Sequence, residues 1–124
     1  MKSQAPNSKK YDLQERTANF AEKVIELMKK LPNDSINKRM IEQLVASSGS
    51  IGANYCEANE SESKRDFQHK IGICKKETKE TKHWIRLLAK ANPNFNKEFR
   101  NLWQEAQELL LIFSSIMKSS KRKV

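Results

Sequence analysis

The stretch Ser63–Asn92, SKRDFQHKIGICKKETKETKHWIRLLAKAN, decides the fold. It contains no Pro and a single Gly, so nothing within it is expected to end a helix. Its apolar and small side chains recur at alternating steps of four and three residues, the spacing of the buried face of a packed helix. These positions are Phe67, Ile71, Cys74, Thr78, Thr81, Ile85 and Leu88. The stretch therefore predicts one long amphipathic helix.

Two further lines of side chains run along this predicted helix. Trp84, Leu87 and Ala91 form a second apolar line beside the first. Because successive residues of a helix are rotated by about 100°, a third, basic line lies roughly opposite the midpoint between the two apolar lines. Its members are Lys75, Lys79, Lys82, Arg86 and Lys90. We therefore expect a helix that packs in two directions and turns a cationic side to solvent.

The rest of the chain predicts an all-α fold, an antiparallel up-down-up-down four-helix bundle. With Gly 3 and Pro 3, the chain has too few turn residues for a β architecture, and the turns between its apolar patterns are short. We expect a flexible basic arm at 1–11, helices at about 12–30, 36–59, 63–92 and 96–118, and a frayed basic tail at 119–124.

The second half of the predicted second helix is rich in small residues. Gly49, Gly52 or Ala53, and Cys56 form a line along which a neighbouring helix can approach closely. Each glycine costs a helix about 1 kcal/mol relative to Ala, so close packing has to offset that cost. A break at Gly49 is the alternative, and the continuous helix is favoured because no Pro or turn cluster accompanies the glycine.

The positive charge of the chain is concentrated in the long third helix. The formal net charge is +9, and residues 64–90 hold nine basic and three acidic residues. Residues 41–63 hold four acidic residues and no Lys or Arg. A basic field of this kind suits a polyanion, although a merely solvated surface has the same composition. Residues 1–10 lack a signal-peptide pattern and no apolar run could span a bilayer, so we expect a cytoplasmic protein.

Nothing in the sequence indicates catalysis, and we expect no enzyme activity, cofactor or metal. Glu80 and His83 have the Glu-x-x-His spacing of di-iron carboxylate proteins, but that site needs a second such pair on another helix. The other histidine, His69, lies on the same helix. Cys56 and Cys74 match no metal-ligand spacing and are expected to be reduced core residues.

Several motifs resemble the four-helix-bundle proteins encoded in intervening sequences of 23S rRNA genes. They include SIGANYCEA at 50–58, KETKETKHWIRLL at 76–88 and EAQELL at 105–110, and the resemblance extends from about Asp12 to Lys118. This family includes the accessory variability determinant proteins of diversity-generating retroelements. The resemblance implies a bundle that assembles into a ring-like homopentamer with a basic surface. In the retroelement members it implies binding of nucleic acid and of a partner reverse transcriptase.

The basic side of the third helix is the candidate site for RNA or DNA. Binding through backbone phosphates is expected to be independent of sequence and strongly dependent on salt. Base stacking is not expected, because Trp84 and Phe67 point away from the basic line. The candidate nucleic-acid-binding residues are Lys64, Arg65, Lys75, Lys76, Lys79, Lys82, Arg86 and Lys90.

Self-association is predicted from surplus apolar surface. The fourth helix also carries a second apolar line, through Trp103, Leu110 and Met117. A closed bundle does not need two such lines on one helix, so we expect them to contact another subunit. A broad core face with an exposed Trp at its edge is the alternative. The candidate interface residues are Glu77, Glu80, Trp84, Leu87, Trp103 and Leu110.

The two acidic members of that interface have two interpretations. Glu77 and Glu80 project beside Trp84, where a carboxylate is costly unless it is paired. They form either ion pairs between subunits or half-exposed pairs within the helix, with Lys70 or Lys76 as partner. For the whole protein, a noncatalytic nucleic-acid-binding scaffold is the leading hypothesis. A protein-interaction module without a nucleic-acid role is the alternative.

Overall fold

The computed structural model describes residues 12–122, and within them the all-α four-helix prediction is confirmed. No β-strand occurs in this range. Successive helices pack against each other in chain order, and α1 also contacts α4. A short 3₁₀ turn, Pro93–Phe95, precedes the last helix. The helices are α1 (Leu13–Met28), α2 (Ser35–Asn59), α3 (Lys64–Ala91) and α4 (Asn96–Arg122).

Side-chain caps define where the first three helices begin. The carboxylates of Asp12 and Asp34 and the hydroxyl of Ser63 each accept a hydrogen bond from a backbone N–H three residues later. Such a cap is worth about 1 kcal/mol, because it satisfies an N–H that has no partner inside the helix.

The buried face of α3 is the one that the spacing predicts, and it carries two threonines that need partners. Thr78 Oγ1 donates to the carbonyl of Cys74 at 2.7 Å. Thr81 Oγ1 donates to Ser47 Oγ at 2.9 Å and so joins α3 to α2. Both threonines are fully buried, and these hydrogen bonds remove the cost of burying their hydroxyls. Apolar side chains from all four helices form the core, among them Phe20, Leu44, Ile51, Ile71, Ile85, Leu88, Phe99, Leu109 and Phe113.

Helix α2 is continuous through both glycines, as predicted. A Cβ at Gly52 would lie 2.8 Å from Thr17 Oγ1, so the absence of a side chain allows α1 to approach here. A Cβ at Gly49 would meet no atom within 4 Å. The expectation of close helix packing is therefore confirmed at Gly52 and wrong at Gly49 within this chain.

Helix α4 continues to Arg122, past the end expected near Lys118. Residues 119–122 are thus helical and not frayed. They contain no Pro or Gly that would end the helix. Ser120 also accepts a hydrogen bond from Gln68 Nε2 of α3 at 3.0 Å. The predicted arm at 1–11 and the last two residues of the tail lie outside the described residues. Between residues 12 and 122, no helix is long and apolar enough to cross a membrane.

Candidate nucleic-acid interface

The basic line of α3 borders α4. Lys82 Nζ donates a hydrogen bond to Gln107 Oε1 and lies 4.4 Å from the centre of the Trp103 ring. Lys82 is half-buried as a result, so the expectation that the whole line faces solvent is wrong for this residue. The line instead forms one wall of a seam between the two helices, which we call the α3–α4 seam. The residues of this seam line two grooves, one on each side of Lys82.

The first groove, of about 340 Å³, is lined by four lysines. Gly72 and Met117 also line it, and a Cβ at Gly72 would lie 3.8 Å from Met117 Cε. One of the lysines, Lys121, is contributed by α4 and was missed from the sequence because it was assigned to a frayed tail. The lysines are Lys75, Lys76, Lys79 and Lys121.

The second groove, of about 320 Å³, is lined by two arginines and an exposed aromatic ring. Arg86 comes from α3 and Arg100 from α4, and Trp103 is 39% exposed. Arg100 was missed from the sequence, because it lies on α4 and the predicted basic line runs along α3. Trp103 brings an aromatic side chain into the basic surface, which reverses the expectation that no aromatic residue is interleaved with it. The remaining lining residues are Ile85, Ala89, Asn96 and Phe99.

Among residues 12–122, no carboxylate lines either groove. Two acidic residues of α4, Glu105 and Glu108, lie instead at the contact with α1, where Arg16 donates hydrogen bonds of 2.7 to 2.9 Å to them. The hydrogen bond to Glu105 raises the pKa of the Arg16 guanidinium above its ordinary value. The positive charge of the α3–α4 seam is therefore not neutralised by side chains within the two grooves.

Three of the predicted basic residues lie outside the grooves. Lys64 and Arg65 are exposed in the first turn of α3, and Lys90 is exposed in its last turn. They lie toward the two ends of the helix and line neither groove. The structure thus brings together Lys75, Lys76, Lys79, Lys82 and Arg86 of the predicted set.

The predicted interface residues of α3 lie on its other flank, beside α2. Lys70 shares this flank at helical spacing with Glu77 and Trp84, and it forms a 2.5 Å ion pair with Glu57 of α2. Lys70 is therefore engaged by Glu57, and it is not the partner that was considered for Glu77. Glu80 accepts a 3.1 Å hydrogen bond from Trp84 Nε1, a partner that neither interpretation had included. We call this surface, Glu77, Glu80, Trp84 and Leu87, the α2-side flank.

The predicted interface residues of α4 do not join that flank. Trp103 and Met117 line the two grooves of the α3–α4 seam, and Leu110 lies between them at helical spacing. The two halves of the predicted interface are therefore on opposite sides of α3. Contact of either half with another subunit stays a prediction.

The cysteines differ in their surroundings. Cys74 is fully buried, and burial raises the pKa of its thiol to about 12. Cys56 is only partly buried and lines a groove between α1 and α2 together with Gly49 and Gly52, so its assignment to the core is wrong. Both thiols are free. In the part of the chain from 12 to 122, no cluster of three or more His, Cys, Asp or Glu side chains converges as metal ligands do.

The fold and the site define the class, a four-helix bundle with a basic seam. Comparison with known families agrees with this class and identifies the family. The chain belongs to the family of 23S rRNA-intervening sequence proteins, whose model matches residues 9–115. The family resemblance drawn from the motifs is thereby confirmed, whereas the retroelement link stays a prediction.

One solved relative is similar along nearly its whole length. It is a protein of unknown function from the S23 ribosomal protein family of Bacteroides thetaiotaomicron, with 30% sequence identity and a TM-score of 0.78. The match covers 85% of this chain and 97% of that one. None of the curated proteins matches this chain.

Proposed function

We propose that the protein is a noncatalytic, homo-oligomeric helical scaffold that binds RNA or DNA through backbone phosphates at the α3–α4 seam. One observation carries the proposal: six basic residues of α3 and α4 line two adjoining grooves, and no carboxylate of the described part of the chain lines either. Lys82 lies between the two grooves and adds a seventh cation.

The spacing of these cations suits an extended polyanion. Lys75 and Arg86 are eleven positions apart, which corresponds to about 17 Å along a helix axis. Lysine ammonium groups contact phosphates as point charges, and arginine guanidinium groups can contact them with two parallel hydrogen bonds. Such contacts fix the position of a nucleic acid without reading its sequence, so we expect binding with little sequence preference.

The homo-oligomer is proposed to form through the α2-side flank. Leu87 is 37% exposed there, and Trp84 is only half-buried, with the His83 ring at its edge. A pentamer is the assembly that the family resemblance implies. Light scattering of the purified protein tests this part, and replacement of Leu87 by Glu is expected to reduce the mass of the particle. A monomeric wild type would contradict it.

Salt-dependent binding tests the nucleic-acid part. Fluorescence anisotropy with labelled RNA and DNA should show binding at about 50 mM salt that weakens by orders of magnitude by about 200 mM, since phosphate contacts release counterions. The variant Lys75→Glu/Lys79→Glu should bind much more weakly. The control Lys29→Glu/Lys38→Glu has the same net charge but alters exposed lysines outside the seam, and it should stay close to wild type.

Two outcomes would redirect the proposal. Equal losses in both double variants would mean that net charge, and not the seam, governs binding. No binding at about 50 mM salt would favour the alternative of a protein-interaction module, for which the exposed side chains of Leu87 and Leu111 provide apolar surface. A reverse transcriptase as partner rests on the family resemblance alone, and co-purification with such an enzyme from the native host would test it.

A further inference from the structure

We propose that the α3–α4 seam selects single-stranded nucleic acid and that Trp103 stacks one unpaired base. This inference rests on the proposed phosphate binding and adds the class of nucleic acid that the seam accepts. It depends on the position of Trp103 between two sets of cations, which brings together residues of two helices.

The indole of Trp103 is exposed and held in place. Its exposure is 39%, although its neighbours on α4 at the core, Phe99 and Leu102, are buried. The ammonium of Lys82 lies 4.4 Å from the ring centre and is itself bound by Gln107. This contact covers one face of the ring and limits the orientations that the ring can adopt. A base would therefore stack on the opposite face of the exposed indole. Aromatic surfaces of this kind stack on every base, because every base has a π face.

The groove beside Trp103 has the chemistry of a nucleotide site. Ala89 and Trp103 are its accessible apolar residues, because Ile85 and Phe99 are each only 1% exposed. Arg86 and Arg100 contribute guanidinium groups from both helices. A base needs an apolar surface beside its plane, and its flanking phosphates need cations. Among the described residues, those that line the lysine groove on the other side of Lys82 include cations and Met117 but no aromatic ring. The seam therefore offers phosphate contacts along its length and base contact at Trp103.

Duplex nucleic acid cannot use this arrangement in the same way. Bases in a duplex are already stacked on one another, so exposing one to Trp103 costs unstacking and unpairing. Single strands pay little of that cost, and proteins that bind them combine a basic groove with aromatic platforms. Phosphate contacts alone would not favour single strands, because a duplex has the higher charge density and releases more counterions. Preference for single strands is therefore the property that distinguishes stacking at Trp103.

Three probes of equal length separate stacking from phosphate binding. They are a single strand such as oligo(dT) or oligo(U), a matched duplex, and a strand whose central nucleotides are abasic and keep only the phosphates. Trp103→Leu is expected to weaken binding of the single strand by about 5- to 100-fold and to leave duplex and abasic binding nearly unchanged. Leu111→Ala, a second exposed apolar position of α4, is the control and should bind like wild type.

Fluorescence provides a direct readout of the ring. In a Trp84→Phe background, Trp103 is the only tryptophan, and single strands should quench its emission more than duplex or abasic strands do. Trp103→Phe should retain part of the single-strand preference, since a smaller ring still stacks.

The outcomes are distinguishable from those of the underlying proposal. If wild type binds in a salt-dependent way but Trp103→Leu lowers binding of all three probes equally, or of none, stacking is excluded and phosphate binding stands. If wild type binds no probe, both proposals are wrong. If Trp103→Leu changes the particle mass in light scattering, Trp103 contacts another subunit and the stacking role is excluded.

Discussion

The side-chain amides of Asn37 and Asn92 exchange two hydrogen bonds across 55 residues of sequence. Asn37 Nδ2 donates to Asn92 Oδ1 at 3.0 Å, and Asn92 Nδ2 donates to Asn37 Oδ1 at 2.9 Å. Each amide also donates to a backbone carbonyl, of Pro32 and of Leu88 respectively. The pair therefore fixes the first turn of α2 against the end of α3.

Breaking this amide pair should be costly. Asn92→Leu leaves the buried Oδ1 of Asn37 without its donor, while Asn37 Nδ2 keeps only the carbonyl of Pro32. We therefore expect the free energy of unfolding to fall by about 1–3 kcal/mol. The double variant Asn37→Leu/Asn92→Leu should lose less than the sum of the single losses, because it leaves neither amide unpaired. Urea unfolding of the four proteins measures this coupling. Additive losses would show that the two amides act independently, and exposed Asn94→Ala serves as a control.

The two glycines of α2 should respond in opposite ways to the same substitution. Gly49→Ala is expected to raise the free energy of unfolding by about 0.5–1 kcal/mol, since the methyl group enters open space and Ala favours a helix. Gly52→Ala should lower it, because the new Cβ would meet the buried, stiff Thr17 side chain at 2.8 Å.

Relief of the contact provides the control for Gly52. Adding Thr17→Ala to Gly52→Ala removes the nearest atom, so the double variant should lose less stability than the sum of the two single changes. Thermal unfolding of each variant measures the differences. Stabilisation by Gly52→Ala would mean that α1 and α2 are not in close contact at this position.

The ion pairs of Arg16 should contribute a modest coupling between α1 and α4. Arg16→Met removes a bidentate contact to Glu105, whose side chain is 30% exposed, and a contact to Glu108. We expect a loss of about 1 kcal/mol, because solvent screens partly exposed pairs. A double-mutant cycle with Glu105→Gln isolates the coupling, which should shrink as salt rises. Arg39→Met, at an exposed position of α2, should have little effect.

The two cysteines should differ in reactivity. At pH 8 a thiol reagent should label Cys56 in the folded protein and both cysteines after unfolding, because Cys74 is buried and its pKa of about 12 leaves almost no thiolate. Since the unfolded thiol ionises near its ordinary pKa of 9.0, stability should also fall as the pH rises above that value. Labelling of two thiols in the native state would contradict the buried position of Cys74, and Cys56→Ser should abolish native labelling.

Much of the fold could be predicted from the sequence because helix periodicity is a local property. The alternating steps through Ile71, Cys74, Thr78 and Thr81 predicted the buried face of α3, and all four are buried. The cap at Ser63 was also local, since it depends on residues three apart. The end of α4 was harder to predict, because Ser119 and Ser120 neither break nor strongly favour a helix, and a contact with Gln68 of another helix is formed there.

The candidate site could be predicted only in part. The basic line of α3 was visible as a repeat, but its environment depends on which flank of α3 faces α4. Arg100, Trp103 and Lys121 reach the seam from α4, and their sequence neighbours give no sign of this. Similarly, the partners of Lys70 and Glu80 depended on where α2 and the Trp84 ring lie.

The sequence by itself determined the number of helices, their approximate ends, the buried face of α3 and the concentration of positive charge on that helix. These properties arise from periodicity, capping and composition, which act over a few residues. Only the tertiary structure decided that the basic line borders α4, that Lys82 lies against Trp103, and that Asn37 meets Asn92. The physical reason is that these contacts depend on the rotation and register of whole helices, which the packing of all four helices sets together.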